Sequence, residues 1–462
     1  MGALWHTDSP PAAVATDSAV EPPLPEKPRK PRYAWRMFWL LLLIGSVIAG
    51  VAARREMLTS HWQARTFSRL AQTLTYDVQP GPSDAIVYPG DGPFDKRLGY
   101  SALDEFLPRL LKRDYLIQRQ ARFSAALMAY TEHDLFVPYA EKIQAGLTIS
   151  DCRATPLYTF MYPQQAYQDF GAIPPVVVNS LLFIENRDLL AADQPLANPA
   201  VDWPRFAKAA WSQVAKVLHL PGQTAGGSTL ATQLEKYRHS PDGLTLSGSE
   251  KIRQMISASV RAYQDGPQTL QARQRIVRDY LNSVPLSAVP GHGEVHGLAE
   301  GLRVWFGADF NRTNALLAGH EPDLLGQRGL ALREVLSLMI AQRRPSFYLT
   351  RGHDELASLT DSHIRLLAQN QVIEAALADA ALASKVHYRD WLQQPTIQPI
   401  DTNKGISVAR SRLAALLNRP LYDLDRLDLA ATSTLQSDLQ TQATDYLKRL
   451  ADPAFAAQLG LL

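Results

Sequence analysis

Gly226–Lys236, read GGSTLATQLEK, is the stretch of this chain whose residue types and spacing are best suited to chemistry. Two adjacent glycines let the backbone approach a ligand closely. Ser228 and Thr229 then offer hydroxyls, and Gln233 and Lys236 follow at helical spacing. A polar wall that ends in a cation suits an anionic, hydroxyl-rich ligand. The plainer alternative is a Gly-Gly turn followed by a Ser or Thr helix cap. Two familiar motifs come close and fail. Ser228 stands where a phosphate-cradling loop needs its lysine, and Leu230 stands where a serine-hydrolase elbow needs a glycine.

A second group lies upstream, where IPPVVVNSLLFIENRDLL from Ile173 reads as a helix after two prolines and delivers Glu185 at the edge of an apolar run. A partly desolvated carboxylate there suits proton transfer; the competing reading is a helix-end glutamate paired with Arg187. Downstream, Lys236, Lys251, Arg253 and Arg273 either face one cleft as an anion site or lie on solvated helix faces. His292, Glu294 and His296 in PGHGEVHGLAEG have some ligand character, but the glutamate does not fit the spacing of a zinc helix. No metal ligand is therefore assigned.

The elements that must position these groups follow from composition and periodicity. At 462 residues the length suggests roughly three domains. A 46% hydrophobic, 20% charged composition is globular, and a net charge of +2 gives no case for a nucleic-acid partner. One cysteine, Cys152, excludes an intrachain disulfide framework and reads as a small half-buried residue. Residues 1–33 are a disordered, proline-rich tail that ends in a basic cluster. Residues 34–55 contain Met37–Ala53, an uncharged apolar run with Trp35 and Trp39 where an interfacial aromatic belt would lie, which reads as a single transmembrane signal anchor. A cleaved signal peptide is the alternative, and the long preceding tail argues for an uncleaved anchor. The lysines and arginines before the run place the N-terminus in the cytoplasm and everything after residue 55 outside.

Residues 56–165 mix helical stretches (Ser101–Arg119) with strand-like ones (Asp84–Tyr88), as expected of a small α+β juxtamembrane module with no legible chemistry. Residues 166–385 read as a mainly α domain, with helices over Glu250–Val260, Leu270–Asn282, Gly297–Phe306, Ala331–Arg343 and Asp361–Ala383. Another helix carries Trp203, Phe206, Ala210, Val214 and Val217 on a core face.

Taken in order, IENRDLL, VDWPRF, GGSTLATQLEK, EKIRQM, IVRDYLNSVPL, GLAEGLRVWFG and REVLSLMIAQRRPSFY resemble the motif blocks of the family 51 glycosyltransferases. These are the peptidoglycan polymerase domains of bifunctional penicillin-binding proteins and monofunctional transglycosylases. The resemblance runs from about Ile173 to Tyr348. It implies a lysozyme-like, mainly α fold at the outer face of the bacterial cytoplasmic membrane. The implied partners are lipid II, a nascent glycan strand and other cell-wall synthesis proteins. The implied reaction is β-1,4 glycosyl transfer with inversion and release of undecaprenyl diphosphate. Glu185 matches the family's general base. Ser228, Thr229, Gln233 and Lys236 match substrate contacts of the second block, and Lys251 matches the basic residue of the third, with Arg253 beside it. Asn186 follows the base where the family usually has aspartate, so it is carried as a substrate contact. Gln254 falls on the family's second acidic position and is carried as a catalytic-site residue. Glu250 falls on a family arginine, Tyr237 on a family asparagine, and Leu189 replaces a phenylalanine.

Gln254 bears no charge, so it cannot balance a metal ion or assist a leaving group as a carboxylate does. Two readings follow: a working polymerase with one carboxylate base, or a scaffold that binds lipid II or glycan without much turnover. Participation of Mg2+ or Mn2+ is left open. Residues 386–462 are linker-like. Leu427–Leu450 looks like the segment that leads into the transpeptidase of bifunctional relatives, but no serine in the chain has a lysine three residues on.

Overall fold

The computed structural model describes residues 32–90, 92–203, 205, 228–390 and 404–461. The N-terminal tail, the Gly226-Gly227 pair and the helix expected through Phe206, Ala210, Val214 and Val217 lie outside the described residues. The described residues fall into two units that divide between Arg55 and Glu56.

Helix α1 (Arg32–Thr59) contains a 25-residue stretch, Trp35–Thr59, long and apolar enough to cross a membrane. Trp35 and Trp39 pack edge to face on it, with ring centroids 5.8 Å apart.

In the second unit, residues 56–162 form helices α2 (His61–Thr73), α3 (Pro93–Leu98), α4 (Leu103–Leu111) and α5 (Ala125–Glu132) and strands β1 (Tyr76–Pro80), β2 (Arg119–Phe123), β3 (Ala145–Ser150) and β4 (Pro156–Tyr162). The α+β character is as expected, but two elements differ. The helix predicted over Ser101–Arg119 ends at Leu111, because Asp114 turns into the left-handed region at φ 63° and Arg119 already starts β2. Asp84–Tyr88 is not a strand. Its Ala85 carbonyl accepts one bond, from the Phe123 amide at 2.7 Å, beside a β1–β2 ladder that is already paired. Cys152 is exposed rather than half-buried, as it sits in the turn between β3 and β4.

The next segment is mainly helical: α6 (Pro175–Glu185), α7 (Leu230–His239), α8 (Gly248–Ala262), α9 (Leu270–Ser283), the hairpin β5 (Pro285–Val289) and β6 (Gly293–His296), α10 (Gly297–Gly301), α11 (Phe310–Ala318), α12 (Leu325–Ala341), α13 (Pro345–Tyr348), α14 (His353–Gln369) and α15 (Ala375–Ala383). The helix expected over Gly297–Phe306 widens after Gly301 into a π turn, Leu302–Phe306. The single helix expected over Asp361–Ala383 is two, α14 and α15, broken where Gln371 takes φ 58°.

Helix α12 is buried on every side from Ala331 to Ala341, the pattern of a helix at the centre of a core. It packs on α15 closely enough that a Cβ at Gly329 would lie 2.5 Å from the Ala380 backbone. Around it, Val177, Leu181, Leu230, Leu281, Leu332 and Ile364 belong to one contiguous core. Each such side chain, fully buried, contributes about 1.5–3 kcal/mol.

The C-terminal segment does not stand apart. It forms α16 (Lys404–Leu417), α17 (Leu421–Leu424), β7 (Leu429–Thr432), α18 (Ser437–Arg449) and α19 (Pro453–Gln458), and β7 pairs in parallel with β3. The sheet order is β4-β3-β7, so the final segment completes a sheet begun some 280 residues earlier; the Ser433 amide bonds the Ser150 carbonyl across a separation of 283 residues.

Candidate active site

Helix α6 forms although three consecutive valines, poor helix formers, follow its first proline; burial decides. Pro175 occupies the first turn, where its missing N–H costs nothing, and Val177, Val178, Leu181 and Leu182 bury one face. Asn186, at φ −160° and ψ 88°, ends the helix and leaves Glu185 as its last residue.

Glu185 is half-buried and each of its oxygens accepts one amide hydrogen. Gln233 Nε2 on α7 donates to Oε2 at 3.2 Å, and Gln342 Nε2, just past α12, donates to Oε1 at 3.1 Å. Its backbone carbonyl accepts from Arg205 Nη1 at 2.7 Å. The pairing with Arg187 does not form: that guanidinium lies 3.9 Å from the Phe183 ring centroid and bonds the Phe183 carbonyl. Behind the amides stand two phenols. Tyr237 donates toward Gln342 Oε1 at 3.1 Å and Gln233 Oε1 at 3.3 Å, and Tyr280 donates toward Gln233 Oε1 at 3.4 Å. Burial raises the pKa of both phenols, with the Glu185 charge adding to it, so they stay protonated donors.

Two lysines complete the group. Lys236, one turn beyond Gln233, is held below its ordinary pKa by burial, which the Glu185 charge partly offsets. Lys251 on α8 donates to Ser228 Oγ at 2.9 Å and to Thr232 Oγ1 at 3.2 Å. Burial, then repulsion from Lys236, brings its pKa down to about 8. The carboxylate, its amides and these two cations form an arrangement able to take a proton at one end and to hold a negative charge at the other.

Of the residues singled out in the sequence, Glu185, Ser228, Gln233, Lys236 and Lys251 come together here. Thr229 is buried as the N-cap of α7, its hydroxyl accepting from the Thr232 amide in a reciprocal capping box. With Asn186 and Trp203 it lines a cavity of about 190 Å³. Three others lie elsewhere. Arg273 is a buried strut whose guanidinium bonds the carbonyls of Leu189, Ala191 and Gln194, so it is no part of an anion site. Arg253 sits 4.3 Å from the Phe136 ring centroid and pairs with Glu250, in a separate cavity that it shares with His239. Gln254 is fully buried, and its amide staples Ser240 and Thr245. It bonds neither Glu185 nor the lysines.

His292 and His296 do not converge. His292 faces Glu300 at 3.0 Å, and His296 faces Glu294 at 3.1 Å, with its pKa lowered to about 4 by burial first and Arg97 second. Among the described residues no three His, Cys, Asp or Glu side chains are placed to hold a metal ion. Gln342 and Tyr280 were not singled out from sequence. Both lie inside blocks quoted above, but a lone polar residue at a helix end carries no signal of a partner 157 residues away.

Residues 154–371 match the family model described as transglycosylase. No curated protein matches the chain.

Proposed function

We propose that the chain, whose residues 154–371 match the transglycosylase family model, is a membrane-anchored peptidoglycan glycosyltransferase that polymerises lipid II. The observation that carries this reading is the half-buried Glu185 carboxylate, held by two amides beside two half-buried lysines.

In this reading Glu185 is the general base. It takes the proton of the acceptor sugar's 4-hydroxyl as that oxygen attacks the anomeric carbon of the donor. The anomeric C–O bond to diphosphate breaks on the opposite face, which inverts the configuration. Lys236 and Lys251 stabilise the charge that develops on the departing undecaprenyl diphosphate. Ser228 keeps the Lys251 ammonium aimed, and Gln233 serves both the base and the sugar hydroxyls. No step is routed through a metal ion or through Gln254. The apolar stretch Trp35–Thr59 suits an enzyme whose substrate keeps its lipid tail in the bilayer; in this reading it anchors the chain with its N-terminus in the cytoplasm.

Incubation of detergent-extracted protein with labelled lipid II, followed by gel separation of glycan strands, tests the reading. Wild type is expected to give polymer, and Glu185→Gln to lower the rate by about two to four orders of magnitude. Polymer at the wild-type rate from Glu185→Gln would remove Glu185 from the role of base. No polymer from wild type, with lipid II still bound, would leave a scaffold.

A further inference from the structure

The phenols behind Glu185 have only one proton each. Tyr280, 1% exposed, bonds Gln233 Oε1 at 3.4 Å, which frees the Tyr237 proton for the shorter contact, Gln342 Oε1 at 3.1 Å. Each glutamine is then fixed end to end: its carbonyl faces a phenol O–H, and its NH2 faces one oxygen of Glu185. Turning either amide over would set a carbonyl against the carboxylate, a repulsive contact in place of the bond to Glu185, whereas the phenol oxygen could still accept from the NH2; the carboxylate therefore fixes the orientation. The two amides come from different elements, α7 and the end of α12, so together they define the plane of the carboxylate rather than merely its position.

We propose that Gln342 and Tyr237 are positioning residues that hold the Glu185 carboxylate in the plane from which it takes the acceptor proton, Tyr237 acting through Gln342. This rests on the reading of Glu185 as base. A misplacement of about 1 Å at such a group costs about a hundredfold in rate, so the expected signature is in kcat. Tyr237 stands where the resembling family has asparagine, so the relay is a feature of this chain's own residues.

The test uses the full chain in detergent with lipid II. Gln342→Met, which keeps length and removes the donor, is expected to lower kcat by about 10- to 100-fold with KM within about twofold. Tyr237→Phe is expected to lower kcat by less. The double variant should match Gln342→Met alone, because the two act in series. An unfolding midpoint within about 3 °C of wild type excludes general loss of structure. Independently of turnover, protein labelled with 15N in glutamine side chains should show the Gln342 NH2 signal displaced by Tyr237→Phe.

An inactive Glu185→Gln alongside a Gln342→Met at the wild-type kcat overturns the positioning and leaves the function standing. Strictly multiplicative effects of the two substitutions, or an unmoved Gln342 signal, overturn the relay. Full activity in Glu185→Gln overturns both proposals.

Discussion

Lys251 ties the site to pH with opposite signs for activity and stability. Its ammonium is charged below about 8 and neutral above, because burial and Lys236 oppose the charge. If that charge stabilises the departing diphosphate, kcat/KM should fall as pH rises through about 8, and Lys251→Met should lack that limb while being slower throughout. For stability the unfolded chain, with the ordinary lysine value of 10.5, binds the proton more tightly than the folded one. Folding is therefore penalised below about 8, and stability rises with pH between there and 10.5. Thermal unfolding of wild type and Lys251→Met across that range reads this directly: the wild-type midpoint should climb relative to the variant. A basic limb that persists in Lys251→Met would belong to another group, with Lys236 the first to examine.

Helix α7 has two working faces, and the second explains how the first is held. Gln233 and Tyr237 point toward Glu185, while Arg238 and His239 point toward residues 95–141 and Glu235 meets Arg261 on α8. There His239 lies between Asp95 Oδ2 at 2.9 Å and Glu141 Oε1 at 2.6 Å. Glu141 also bonds Arg238 and meets Arg261 at 3.2 Å, and Arg261 in turn holds Glu235 at 2.7 Å. The Glu141 side chain is 3% exposed, so its charge is balanced only by this cluster. Glu141→Gln removes the carboxylate shared by His239, Arg238 and Arg261, which keep Asp95, Asp279 and Glu235 as partners, and is expected to cost about 1–3 kcal/mol. Loss of polymerisation should follow the drop in unfolding midpoint, and a midpoint near wild type would show the cluster to be dispensable. Much of α7's first face was legible in sequence, because hydroxyl, amide and lysine recur at helical spacing. Its second face was not, since nothing local marks Arg238 or His239 as partners of Glu141, about a hundred residues upstream. The same limit applies to Gln254: its alignment with a catalytic position is readable, whereas its burial against Ser240 and Thr245 depends on a loop conformation that the sequence does not announce.

For the whole molecule, the largest departure from the sequence reading concerns residues 404–432, part of the 386–462 segment read as linker-like by resemblance, which pack as part of the fold. Parallel pairing needs a partner strand brought from far away, and no periodicity signal reports such a partner; the alternating burial of Leu429–Thr432 becomes intelligible only against Leu147 and Ile149. Those two residues are 0% and 2% exposed and share a core with Phe106, Leu417, Leu424 and Leu427. Polar contacts reinforce the join: Asp428 accepts from Tyr100 at 2.7 Å and pairs with Lys142 at 2.8 Å, and Asp425 accepts from Tyr158 at 3.0 Å. A chain ending at residue 390 would uncover Leu147, Ile149 and Phe106 together. Each loses about 1.5–3 kcal/mol of burial, more than a small three-stranded sheet can spare. Hydrogen exchange on this truncated protein should show protection lost across 145–162 while α12, whose core lies within residues 167–381, keeps its protection. Unchanged exchange in β3 would mean that the β4 ladder alone holds the strand. Loss of protection in α12 as well would mean that the C-terminal segment supports residues 56–462 as a single cooperative unit, so that the site around Glu185 depends on a strand that touches none of its residues.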